Sequence, residues 1–153
     1  MYILIGAMLI AGDQIIKYFI HNNMFLGNPY PLIDDFLYLT YVRNTGIAFG
    51  LFKNNNLFMI IVISIIILIL LYFYKKEEKK VFTLSISVTL LVSGAIGNLI
   101  DRIVYGFIID YINFTFWPAF NLADSLIVIG SILLGIYLIF QVEENKNKQE
   151  VKE

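Results

Sequence analysis

Four long apolar runs constrain this chain more than any other feature of its sequence. They cover residues 2–20, 57–74, 81–100 and 121–142. The hydrocarbon core of a bilayer is about 30 Å thick, and a helix needs roughly 20 apolar residues to cross it. Hydrophobic residues make up 59% of the chain and charged residues only 15%, whereas soluble proteins carry about 25% charged residues. The sequence therefore predicts an all-α integral membrane protein with four transmembrane helices, forming a single domain over residues 1–153.

The first run could instead be a cleaved secretory signal peptide. Such a peptide begins with a basic segment, which is followed by an uninterrupted apolar stretch. No basic residue precedes this run, and Asp13 and Lys17 lie in its second half, so a retained helix is favoured. These two residues are four positions apart and share a helix face. Two interpretations stay open: an ion pair whose lysine extends toward the membrane surface, and a pair that lies beside a functional site.

The loop between the first two runs, residues 21–56, contains glycine and proline residues that interrupt a helix. Its segment FLYLTYV, residues 36–42, is rich in aromatic and β-branched residues, and it predicts a small β-like segment at the membrane surface. The motif RNTGIAFG, residues 43–50, follows. Asn44 and Gly46 suit a turn there, and from the residues alone a simple interfacial turn is the favoured explanation of this motif.

Basic residues indicate how the chain is oriented in the membrane. Lysines cluster in the KKEEKK turn, residues 75–80, and in the polar tail, residues 143–153, whereas Arg43, Lys53 and Arg102 lie at the other end of the runs. The positive-inside rule places the lysine-rich end in the cytoplasm. We therefore expect both termini in the cytoplasm and the β-like segment on the extracytoplasmic side. The tail is too polar to pack against the protein and is expected to be disordered.

Polar residues gather at the extracytoplasmic end of this predicted bundle. They are Asp13, Lys17, Asn98, Asp101, Arg102, Asp110, Asn121 and Asp124. A carboxylate in hydrocarbon costs about 2.5 to 3.5 kcal/mol on insertion scales, so membrane acids indicate a functional site. Asn121 and Asp124 also have the spacing of a helix N-terminal cap, and that interpretation stays open. A cap does not explain Asp110, which we expect in the loop after the third run. It lies among the apolar residues of IIDYI, where burial raises the pKa of a carboxyl group.

Two carboxylates that are held close together share a proton, and the ionised one can act as a base toward water. The chain has no cysteine and one histidine, His21. This composition excludes thiol nucleophiles and metal sites built from cysteine or several histidines. Asp110 and Asp124 are therefore the candidate pair for hydrolysis without a metal or another cofactor. The net charge of −1 provides no field that would attract nucleic acid.

Five motifs, in this order, resemble the lipoprotein signal peptidases, also called type II signal peptidases. They are DQIIK from residue 13, RNTGIAFG from residue 43, GNLIDR from residue 97, IIDYI around residue 110 and FNLADS from residue 120. The resemblance covers nearly the whole chain, although Tyr111 stands where the family commonly has Phe. It implies an aspartyl endopeptidase of the bacterial cytoplasmic membrane, with Asp110 and Asp124 as its catalytic residues.

The same resemblance implies the remaining site residues and the substrate. Residues that bind substrate or support the two acids would be Asn44, Gly46, Asn98, Arg102 and Asn121, and residues of structural polar support would be Asp13, Lys17 and Asp101. The implied substrate is a bacterial prolipoprotein whose lipobox cysteine carries diacylglycerol. Cleavage before that cysteine would release the signal peptide near the extracytoplasmic face. A monomer surrounded by membrane lipid suffices for this reaction.

Two other classes of protein stay open at this point. A small ion or solute transporter would use its membrane carboxylates to carry protons or cations. It would need polar residues along a path across the bilayer, whereas residues 57–74 contain almost none and the acids cluster at one end. A non-catalytic membrane subunit would bind a partner through the aromatic residues of its loops, but that role leaves Asp110 unexplained.

Overall fold

The computed structural model describes residues 1–46 and 55–150, and the side chains only as far as residue 142. The second half of the RNTGIAFG motif, residues 47–50, and Lys53 lie outside the described residues. The elements, in chain order, are α1 Tyr2–Asn23, β1 Tyr30–Ile33, β2 Leu37–Asn44, α2 Asn56–Lys76, α3 Phe82–Val104, β3 Ile108–Phe114 and α4 Leu122–Glu150. The predicted class, four apolar helices with a small β-structured part, is confirmed.

The four helices begin within one residue of the predicted apolar runs and end beyond them. Local hydrogen bonds help to set where a helix begins. The side chain of Asn55, for example, accepts a hydrogen bond from the Phe58 amide at the start of α2 (3.3 Å). The largest difference concerns the polar tail, which was expected to be disordered. Its backbone continues α4 as far as Glu150, because Glu, Lys and Gln are good helix formers and extending an existing helix needs no new nucleus.

The central helix of the bundle is α3, which packs against α1, α2 and α4. In α3, 56% of an 18-residue apolar stretch is buried within the protein, compared with 6% of the corresponding stretch in α2. Close packing depends on glycine at two positions on α3. A Cβ at Gly94 would lie 2.8 Å from Ile127 Cγ1, and a Cβ at Gly97 would lie 2.6 Å from Asp13 Oδ2. The absence of side chains there lets α1 and α4 approach α3 closely.

The β-structure is a three-stranded antiparallel sheet in the order β1-β2-β3. β2 pairs with β3 so that Val42 lies opposite Asp110 and Asn44 lies opposite Ile108. The sequence interpretation identified the β2 region but placed Asp110 in a loop, which is wrong because Asp110 is in the middle of a strand. The signal was available, since IIDYINF is rich in the β-branched and aromatic residues that favour strands.

The sheet is attached to the helical bundle through a small apolar cluster. Ile20 on α1 packs with Tyr41 on β2 and with Ile109 and Tyr111 on β3, and all four side chains are buried. Asp110 lies between the last two, so the packing of its neighbours fixes its place against the bundle. In contrast, the apolar side chains of α2 are mostly exposed, as is expected of a surface that faces lipid.

We expect Gly97→Ala to destabilise the protein by about 1 to 3 kcal/mol, because its Cβ would collide with Asp13 and force α1 away from α3. Thermal unfolding in detergent would measure this loss. Gly135→Ala is the matched control, because nothing lies within 4 Å of a Cβ at that position and alanine favours a helix over glycine. Equal unfolding temperatures for the two variants would contradict the packing argument.

Candidate active site

The first turn of α4 holds Asp124 through a reciprocal helix cap. The Asn121 side-chain oxygen accepts a hydrogen bond from the Asp124 amide (2.9 Å), and the Asp124 carboxylate accepts one from the Asn121 amide (3.2 Å). This is the geometry of a capping box. The capping interpretation of these two residues is therefore confirmed. It places the Asp124 carboxylate at a fixed position beside Asn121.

Two more residues complete the start of α4. Asp13 on α1 accepts a hydrogen bond from the Ala123 amide (3.0 Å), and the Tyr111 hydroxyl accepts one from the Leu122 amide (3.1 Å). The first amides of a helix have no partner within the helix itself. Here α1, β3 and Asn121 supply those partners, so the position of Asp124 depends on three separate parts of the chain.

Asp110 is only 2% exposed, and both of its carboxylate oxygens accept hydrogen bonds. The donors are the side-chain amides of Asn121 (2.8 Å) and of Asn44 on β2 (2.9 Å). Asn44 is itself held by the Gly46 amide, which donates to its side-chain oxygen (3.1 Å). Burial, together with the nearby charge of Asp124, raises the pKa of Asp110 to about 7, against the opposing effect of its two amide donors.

Asn98 and Asn121 link the two acids. The Asn98 side-chain amide donates to Asp124 (2.8 Å), and the Asn98 oxygen accepts from the side-chain amide of Asn121 (3.2 Å), which also donates to Asp110. The two carboxylates are thus joined through a pair of asparagine side chains. They differ in environment, because Asp110 is buried whereas Asp124 is partly exposed.

Lys17 lies inside the bundle and does not extend toward the membrane surface. It is 1% exposed, and its ammonium group contacts Asp13 (2.8 Å) and Asp101 (3.0 Å) and donates to the Asn98 oxygen (3.1 Å). The interpretation of Asp13 and Lys17 as an ion pair reaching for the interface is therefore wrong. A buried charge needs partners, and α3 supplies them beside the residues that hold Asp124.

Asp101 connects α3 to both α1 and β3. One of its oxygens accepts from the side-chain amide of Gln14 (3.1 Å) and the other from the Ile109 amide (3.0 Å), next to Asp110. Gln14 also donates to Asp13 and to the Gly97 carbonyl oxygen. Sequence reasoning did not single out Gln14. The sequence feature that could have identified it is an amide side chain between two charged residues, Asp13 and Lys17, in an apolar run.

Arg102 stabilises the ends of two segments and does not contact the two acids directly. Its guanidinium donates to the Gly46 carbonyl (2.7 Å) and to the Asn56 side chain (3.3 Å), and Asn56 donates in return to the Arg102 carbonyl (2.8 Å). Within the described part of the chain, Arg102 makes no hydrogen bond to Asp110 or Asp124. Sequence reasoning missed Asn56, a polar residue directly before the second apolar run.

All ten residues singled out from the sequence lie in this connected network. They come from α1, β2, α3, β3 and α4, except that Gly46 follows β2 and Asn121 directly precedes α4. Among the described residues, no group of three or more His, Asp or Glu side chains is placed to hold a metal ion. Asp110 and Asp124 accept hydrogen bonds from asparagine groups, and the buried Lys17 is linked to them through Asn98. Such a site can hold a proton on one carboxyl group while the other is ionised.

Fold and site together define a membrane protein with four spanning helices and, at one end, two carboxylates that are linked through asparagine side chains. The family model described as signal peptidase (SPase) II matches residues 5–140. A lipoprotein signal peptidase of Clostridioides difficile is 40% identical over 142 residues, which cover 92% of this chain and 95% of that relative. One of Halothermothrix orenii is 42% identical over 138 residues, covering 90% and 94%.

Solved structures agree with these sequence relatives. A bacterial membrane enzyme determined by the in meso method at 2.3 Å resolution has a TM-score of 0.87 and 35% identity, covering 94% of this chain and 90% of that one. A second, at 1.9 Å resolution, has a TM-score of 0.82 and 37% identity, covering 90% and 91%. The chain belongs to the signal peptidase II family and is a multi-pass membrane peptidase of bacterial type. Membership of this family excludes the two alternatives left open by the sequence, a transporter and a non-catalytic subunit.

We expect Lys17→Met to destabilise the protein by about 3 to 5 kcal/mol, because Asp13 and Asp101 would be left buried without their counter-charge. Thermal unfolding in detergent is the measurement. Lys75→Met, at the exposed end of α2, removes the same charge from the surface and should change stability by less than about 0.5 kcal/mol. If both variants unfolded at the wild-type temperature, the buried ion network would have no structural role.

Proposed function

We propose that this peptidase is an aspartyl endopeptidase in which Asp110 and Asp124 are the catalytic pair. The observation that carries the proposal is their shared attachment to Asn121 and Asn98, which joins two carboxylates of unequal burial at one end of the bundle. The names of the relatives supply the substrate class. We propose bacterial prolipoproteins, cleaved before the cysteine that carries diacylglycerol, so that the signal peptide is released.

The reaction uses one proton held by the pair. Asp124, which is partly exposed, takes a proton from a water molecule as that water attacks the carbonyl carbon of the scissile bond. Asp110, which can hold a proton near neutral pH, gives it to the carbonyl oxygen. The tetrahedral intermediate then collapses, the carbon–nitrogen bond breaks, and the leaving amine takes the proton from Asp124. Asp110 recovers its own proton from the collapsing hydroxyl group.

The neighbouring polar residues orient the two acids. The amides of Asn44, Asn98 and Asn121 already donate to the carboxylates, which supports a role in holding the acids at the correct angle and distance. Gly46 and Arg102 act one step away, because Gly46 holds Asn44 and Arg102 holds Gly46.

The three charged residues Asp13, Lys17 and Asp101 form the scaffold beneath the acids. Lys17 neutralises the two carboxylates, Asp13 fixes the start of α4, and Asp101 fixes β3 next to Asp110. They are therefore residues of structural polar support in this proposal. Their effect on catalysis passes through the helices and the strand that they hold together.

The position of the site suits a substrate that is anchored in lipid. The acids lie near the end of α3 and the start of α4. In this proposal, that end of the bundle is close to the plane in which a lipid-modified cysteine meets the membrane surface. Exposed aromatic side chains on the adjoining turns, Phe25, Phe116 and Trp117, are typical of that interfacial region. We place this end on the extracytoplasmic side, with the KKEEKK turn and both termini in the cytoplasm. A monomer is sufficient for this arrangement.

Asp110→Asn and Asp124→Asn should each give a folded, membrane-inserted protein that processes a diacylglyceryl-modified precursor about 10²- to 10⁴-fold more slowly, because each removes one group that transfers protons. Incubation of detergent-purified protein with the precursor, followed by gel analysis of its size, measures the rate. Asp34→Asn, at an exposed position in the first loop, is the control and should keep the wild-type rate. Wild-type processing by either catalytic variant would rule out the pair.

The pH dependence of processing tests the shared proton. Because the pKa of Asp110 is raised to about 7 by burial and by Asp124, the rate should fall as the pH rises through this value and the pair loses its last proton. Initial rates between about pH 5 and 9, with the stability of the protein checked at each pH, give the profile. A rate that stays constant up to pH 9 would show that no such proton is needed.

A further inference from the structure

Tyr111 contacts the chain on both sides of Asn121. Its backbone amide donates to the Phe120 carbonyl (3.0 Å), and its hydroxyl accepts from the Leu122 amide (3.1 Å). Next to it, Ile112 and Phe120 exchange two backbone hydrogen bonds of 2.8 and 2.9 Å. Asn121 therefore lies in a short segment that β3 holds before and after it.

The side chain of Tyr111 is well suited to hold a fixed position. It is 4% exposed and packs in the apolar cluster with Ile20, Tyr41 and Ile109. A buried aromatic ring has few alternative orientations in a close-packed core. Burial raises the pKa of Tyr111 to about 12, so its hydroxyl stays neutral across the range in which the peptidase would work.

The Tyr111 hydroxyl accepts a hydrogen bond from one particular backbone amide. At the start of α4, Asp13 is the acceptor for the Ala123 amide and Asn121 is the acceptor for the Asp124 amide. The Leu122 amide donates to the Tyr111 hydroxyl. This peptide group directly follows Asn121, whose side chain contacts Asp110 and whose backbone contacts Asp124. A shift of this peptide would therefore move the contact that joins the two acids.

We propose that Tyr111 is a positioning residue for the peptidase reaction: its hydroxyl fixes the peptide between Asn121 and Leu122, and so holds Asp110 and Asp124 at their working separation. The inference rests on the proposed catalytic pair. Tyr111 acts through Asn121 and does not touch the substrate. Phenylalanine at this position would fill the same space but would leave the Leu122 amide without this acceptor.

Tyr111→Phe tests the proposal. We expect kcat to fall about five-fold, the effect of losing one typical hydrogen bond, with KM unchanged because no substrate contact is lost. We also expect the high-pH limb of the rate profile to move to lower pH. If Asp124 is less firmly held, its charge raises the pKa of Asp110 less. Steady-state kinetics on the diacylglyceryl-modified precursor at several pH values gives all three quantities.

Tyr74→Phe is the matched control. It deletes the same hydroxyl group at the opposite end of the bundle, where Tyr74 contacts the Ser85 hydroxyl (3.1 Å). Both variants should lose a similar amount of thermal stability. A purely structural role for Tyr111 predicts that the two variants also share wild-type kcat and pH profile once they are folded. The positioning role predicts that only Tyr111→Phe changes them.

The outcomes separate this inference from the proposed function. If turnover requires both acids but Tyr111→Phe keeps wild-type kcat and pH profile, the positioning role is overturned and the catalytic pair stands. If turnover survives Asp124→Asn, the proposed function and the inference both fail. Should Tyr111→Phe not fold, hydrogen exchange in the wild-type protein provides the test. Slow exchange at the Leu122 amide supports the hydrogen bond, and exchange as fast as at an exposed amide overturns it.

Discussion

The rest of the site depends on one interaction, the ion pairs that Lys17 makes with Asp13 and Asp101. The positive charge of Lys17, buried at 1% exposure, allows two carboxylates to lie within the bundle. Those carboxylates then use their remaining hydrogen-bonding capacity on backbone amides, Asp13 on the start of α4 and Asp101 on β3 beside Asp110. One lysine on α1 therefore stabilises the two elements that carry the acids of the pair.

The candidate active site also shows how a small sheet and a helix bundle can share one site. Asp110 comes from a strand and Asp124 from a helix, and the chain between them is short. Their link is made by amide side chains, which can donate and accept at once, so that Asn98 and Asn121 each contact more than one partner. Such neutral donors hold the carboxylates without adding a further charge to a buried site.

Much of this arrangement could be predicted from the sequence, and the rest could not for identifiable reasons. The four spans follow from hydropathy, and the cap at Asn121 and Asp124 follows from their spacing. The residues of IIDYINF favour a strand, but its pairing with β2 joins two distant parts of the chain and is not visible in a local pattern. The direction of Lys17 was equally undetermined, because Asp13 four residues earlier satisfies it on its own helix. Its contact with Asp101 depends on how α1 packs against α3.

The attachment of α2 has a consequence for how the sequence can vary. Among the described elements, α2 packs against α3 alone, and its spanning window is 6% buried. Most of its side chains therefore face lipid and do not pack against the protein. Any apolar residue of good helix propensity can occupy such a position. Apolar substitutions in the second span should therefore be tolerated, provided that Asn56 keeps its contact with Arg102. The crowded face of α3 around Gly97 permits almost no such freedom.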